Sequence, residues 1–123
     1  MANEITFTGS LSVYKSSIMS SAIGRAVSGL LFTMTGNTLI EGVLSVGTSA
    51  TLIPLGQVAS PHWSWFLNKD SGNFIKIRNG ASGADLLKLK AGEWAFCPLL
   101  DSAVPYAIAD TAACVLSYLI LSL

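Results

Sequence analysis

The chain has 123 residues and a mass of 12.9 kDa, enough for one compact domain with a single core and too little for two of ordinary size. Hydrophobic residues make up 51% and charged residues 11%, against roughly 25% charged in an average soluble domain, so apolar side chains must reach the surface as patches that favour a partner. Lys and Arg number 7 and Asp and Glu number 7, giving zero net charge with no basic run, which argues against nucleic acid as a partner.

The opening segment carries Glu4 and lacks the basic start and apolar block of a secretory signal, which points to synthesis in the cytosol. Ile5 and Phe7 alternate with Glu4, Thr6 and Thr8, and the line continues through Gly9 to Leu11 and Val13, predicting an edge or bent strand. Residues 1–9 are set apart as an extended N-terminal arm. Ser16 to Gly24 reads as a loop with a helical turn around Ile18 to Ala22. Val27 to Thr35 and Thr38 to Val46 read as strands, and Gly36-Asn37 between them suits a tight two-residue hairpin. After a small-residue turn at Gly47 to Ala50, Thr51, Ile53 and Leu55 share one face of a short strand that Pro54 confines to an edge or bulge.

The segment from Gly42 to Asn68 has no charged residue, yet Gly47, Pro54, Gly56 and Pro61 interrupt it, so it is strand and turn material and not a membrane helix. His62 to Asn68 alternates with large side chains on both faces, which predicts cover on both sides. The polar run Asn68 to Asn73 turns the chain into Phe74 to Arg78, predicting a second hairpin. Leu87 and Leu89, Trp94 and Phe96, then Tyr106 to Ala109 and Ala113 to Leu121 supply the remaining strands. The apolar run at 111–123 is too short to span a bilayer. About nine or ten short strands without a long helical pattern predict one all-β, mostly antiparallel domain over 1–123, a β-sandwich of jelly-roll type.

Taken in order, Leu52 to Gln57, Trp63 to Asn68, Asp70 to Ile75, Leu87 to Glu93, Pro105 to Ala109 and Cys114 to Ile120 resemble the small virion structural proteins of tailed phages. The resemblance runs from Thr51 onward. It implies a β-sandwich that decorates or cements a phage head, binds the major capsid protein or other virion proteins as a dimer or trimer, resides in the virion after assembly in the bacterial cytoplasm, and has no catalytic residues. Tail, fibre and baseplate components share such β-rich sequence and are the neighbouring alternatives.

Chemistry-bearing residues are sparse. His62 is the single histidine, flanked by Pro61 and Trp63, and no Gly-x-Ser-x-Gly elbow accompanies it, so it reads as a hydrogen-bonded strand residue and not as a catalytic base. Cys97 and Cys114 lack the paired spacing of a zinc site and are expected as free, buried thiols. Asn68, Asp70 and Asn73 hint at a calcium loop, but Asn79 stands where the bidentate glutamate belongs, and a turn held by side-chain to backbone bonds is the better reading. No metal or other cofactor is expected, and no enzyme activity.

The aromatic group Trp63, Trp65, Phe66, Phe74, Trp94, Phe96 and Tyr106 admits three readings: core, protein interface, or a sugar platform ringed by Asn68, Asp70 and Arg78. Self-association through the segment from Leu39 to Leu55 and the N-terminal arm is the leading expectation, with Ile5, Phe7, Leu44, Ile53, Trp63 and Trp65 as interface candidates. A carbohydrate-binding β-sandwich module is the alternative, and a hydrolase ranks last because no carboxylate lies beside His62 in the sequence.

Overall fold

Alternating side chains dominate the sequence, and the described residues form ten strands and no helix. The computed structural model describes residues 5–34, 36–99 and 103–122. The chain divides into two compact units, Met1–Met34 and Thr35–Leu123.

In the first unit, β1 (Ile5–Val13) pairs antiparallel with β2 (Ile23–Phe32). Residues 5–9, expected in an arm, are thus the first half of a paired strand, while residues 1–4 lie outside the described residues. The expected helical turn forms slightly upstream, where the N–H groups of Ile18 and Met19 both donate to Lys15 O at 3.0 and 2.9 Å. The register slips between Phe7 and Gly9, where β2 carries an extra residue. Gly29, with φ 61°, makes this bulge, and its N–H donates to Thr8 Oγ1 at 2.9 Å. The slip places Val27 opposite Gly9 where an unbroken ladder would place Ser28. One face of the hairpin therefore carries Ile5, Phe7, Leu30 and Phe32, then Leu11, Val13, Ile23 and Val27, with Arg25 as its one charged residue.

The second unit contains β3 (Leu39–Val46), β4 (Thr51–Leu52), β5 (Pro61–Asn68), β6 (Ile75–Asn79), β7 (Asp85–Leu89), β8 (Trp94–Pro98), β9 (Pro105–Ala109) and β10 (Cys114–Ser122). They form two four-stranded antiparallel sheets, ordered β3-β10-β5-β8 and β4-β9-β6-β7. The pairing is nested: β3 with β10, β4 with β9, β5 with β8 and β6 with β7, as in one long hairpin folded over on itself. The β10–β5 and β9–β6 ladders then complete the sheets.

Two expected hairpins are corrected by this pairing. β2 takes β1 as partner and β3 takes β10, so Gly36-Asn37 does not join a hairpin. β5 and β6 lie in different sheets, so the Asn68 to Asn73 turn crosses between sheets. β3 and β5 each pair with β10 near the end of the chain, because long-range packing and not the local turn selects the partner. The short strand before Pro54 does lie at a sheet edge, as expected.

The inward pleats of both sheets meet in one core. Val46, Phe66, Leu116, Tyr118 and Ile120 from the first sheet pack with Ile75, Ile77, Leu89, Ala107 and Ala109 from the second. Asn68 is fully buried and well satisfied: Nδ2 donates to Asn73 O (2.8 Å) and Leu89 O (3.0 Å), and Oδ1 accepts from Asp70 N (2.9 Å). Gly42 is required by close approach, since a Cβ there would lie 2.9 Å from Tyr118 Oη across the β3–β10 ladder.

Candidate functional site

A strand shows alternate residues to opposite faces, and paired residues in an antiparallel ladder share a face. Because Val46, Leu116 and Phe66 point into the core, the remaining positions of the first sheet point outward. They are Leu39, Glu41, Val43 and Ser45 on β3; Val115, Ser117, Leu119 and Leu121 on β10; Trp63, Trp65 and Leu67 on β5; and Trp94, Phe96 and Pro98 on β8. Glu41 is the one charged side chain among them. Val43 is 63% exposed, Leu39 58%, Trp94 56% and Val115 41%, where a solvated face would carry polar residues.

Trp63 and Phe96 stack with ring centroids 5.2 Å apart and planes 6° from parallel. An open depression of about 410 Å³ lies beside Trp65, bounded by Glu41, Val43, Ser117 and Leu119, with Gly42 and Tyr118 at its base.

The outward face of the second sheet differs in character. Lys76 pairs with Asp85 at 2.8 Å, and Arg78 Nε donates to the same carboxylate. These contacts, that of Lys76 first, hold the Asp85 carboxyl below its ordinary range. Lys76 and Lys88 are direct cross-strand neighbours, a repulsive pairing eased by the Phe74 ring, whose centroid lies 4.0 Å from Lys88 Nζ and 5.8 Å from Lys76 Nζ. The second sheet thus shows water a charged network beside Leu52, Tyr106 and Ile108, and the first an apolar, aromatic surface with Glu41 as its one charge.

The six expected interface residues divide among these environments. Trp63 and Trp65 lie on the outward face of the first sheet, so they are neither covered by the second sheet nor part of the core. Ile53 is fully buried in the core and Leu44 packs against that core from the inward side of β3, so neither faces a partner. Ile5, buried, and Phe7, half-buried, sit on the apolar side of the first unit's hairpin. Val115 and Leu119 lie outside every expected interface segment, whereas Leu39 and Val43 fall within the expected segment from Leu39 to Leu55 and Trp94 within the aromatic group, though none of the three is among the six candidates. Glu41 gives their signal in β3: a charged residue on a half-buried strand marks the outward pleat, and Leu39 and Val43 share its parity.

The polar groups expected around a sugar platform are engaged elsewhere. Asn68 is buried. Asp70 Oδ2 accepts from Asn73 N at 2.6 Å and Gly72 N at 2.9 Å, bonds that lower its pKa, the Asn73 contact most. Arg78 belongs to the other sheet. Cys97 and Cys114 are free thiols; Cys97 Sγ lies 3.5 Å from Ser64 Oγ, while burial pushes the Cys114 thiol up.

A second cavity, of about 480 Å³, opens between the β7 and β8 edges, with His62 and Cys97 set among Ile77, Leu86, Leu87, Pro98 and Leu99. His62 Nδ1 is buried there without a hydrogen-bond partner among the described residues. Among the described residues its lining contains no carboxylate that would orient the imidazole as a general base. No protein-family model matches the chain, and neither a curated protein nor a solved structure is found to be similar to it.

Proposed function

We propose that this chain is a non-enzymatic assembly protein, and that it serves in a phage virion as a decoration or cement protein of the head. The observation that carries the assembly reading is the outward face of the first sheet, where Leu39, Val43, Val115 and Trp94 are exposed beside half-buried Trp63, Trp65 and Phe96. Covering such a face with protein gains roughly 25 cal/mol per Å² of apolar area. Buried aromatics are the side chains that most often anchor an interface.

The virion assignment rests on the sequence resemblance from Thr51 onward and draws support from the strand order. Nested pairing of β3 to β10, β4 to β9, β5 to β8 and β6 to β7 is the arrangement of a jelly roll, which we infer for the second unit. Viral shell proteins use that architecture, and so do lectins, so fold alone does not choose between them. The surroundings of Trp94 favour the protein partner: Leu67 and Phe96 border it and offer a sugar no side-chain hydrogen bonds, whereas Glu41 and Ser117 lie beside Trp65.

Co-sedimentation with phage shells stripped of accessory proteins tests this reading. Saturable binding that Val43→Asp abolishes is expected. Absence of binding, with glycan-array signal at Trp94 in its place, would replace the proposal with the sugar-binding one, and binding to tails in place of heads would move the protein within the virion.

A further inference from the structure

The β1–β2 hairpin has an apolar stripe that its own unit leaves open: Leu11, Val13, Ile23 and Val27 are between 37% and 62% exposed. A two-stranded ribbon with an uncovered apolar face is marginal in water. Arg25, opposite Leu11, is the single charge on the stripe. Its guanidinium donates to the carbonyl of Gly24 at 2.8 Å and meets no carboxylate among the described residues. The outward face of β3 repeats this pattern with the sign reversed. Glu41 is the single charge there, and it too has no ion pair among the described residues. Along β2 the outward order is Ile23, Arg25, Val27; along β3 it is Leu39, Glu41, Val43. Each surface thus sets one charge between two apolar residues at strand spacing, and the charges are opposite.

We propose that the hairpin stripe of one copy packs on the β3–β10 face of a second copy, with Arg25 of the first opposite Glu41 of the second. The inference deepens the assembly reading and rests on it. Every copy carries both halves, so the contact is head-to-tail, and it closes into a ring or continues as a filament according to its rotation. Pairing the two charges offsets part of the desolvation cost that either alone would impose on an apolar interface.

The test is a charge exchange read by light scattering and sedimentation, with circular dichroism confirming that each variant keeps its strands. Arg25→Glu and Glu41→Arg should each weaken self-association at least ~10-fold. An equimolar mixture of the two should recover wild-type assembly, because each hairpin then meets an opposite charge on the other variant. If the double variant assembles but the mixture does not, the hairpin folds back within one chain and the second copy is wrong. If neither single variant weakens a wild-type oligomer, this contact is wrong while the assembly reading stands. A wild-type chain that stays monomeric and ignores shells removes the assembly reading itself.

Discussion

Val43 on β3 and Ile53 just after β4 have opposite fates. Ile53 is enclosed between the sheets, so Ile53→Ala should cost ~2–5 kcal/mol of stability in a urea titration. Val43→Asp, on the outward pleat, should cost no more than ~1 kcal/mol in the same assay while removing self-association. Alternation showed that β3 is a strand, but which parity faces the core depends on what covers each side, so Leu44 and Ile53 were assigned outward although they point inward. Asp70 and Asp85 each contribute to acid sensitivity. Both are held below the ordinary aspartate pKa of 3.8, so the unfolded chain takes up protons at a higher pH than the folded one. Their contribution is complete above that pH and is lost as pH falls through the folded values. A thermal midpoint followed from neutral pH downward should therefore be flat and then drop below 3.8, with a shallower drop in Asp70→Asn and Asp85→Asn.

Strand composition located most elements in the second unit to within a few residues, because alternation and turn residues are local properties. Partner choice was not local. β3 finds β10 across most of the chain, and no property of residues 36–37 reveals that the ladder continues there and not into β2. The bulge at Gly29 was likewise invisible, since it follows from the need to keep Val27 on the apolar side of the hairpin. Gly29→Val forces a β-branched residue into the left-handed region, at ~1–2 kcal/mol or more. It should slip β2 by one residue and weaken self-association as strongly as Arg25→Glu does. Amide exchange gives a separate check: in dilute monomer the β1–β2 amides should exchange faster than those of β10, which is hydrogen-bonded on both sides, and should gain protection as concentration rises.

At the scale of the molecule, the two faces of the sandwich account for a composition poor in charge. Charged residues gather on the outward face of the second sheet, through Lys76, Arg78, Asp85 and Lys88, and nearly vanish from that of the first. Composition alone predicted that apolar groups would surface, but it could not say where, because the location depends on which sheet each strand joins. The native mass of the purified chain by light scattering, beside that of Val43→Asp, tests the assembly claim most directly. A discrete wild-type oligomer and a folded, monomeric variant are predicted; a wild-type chain that remains a folded monomer at every concentration, with no shell binding, would contradict the account.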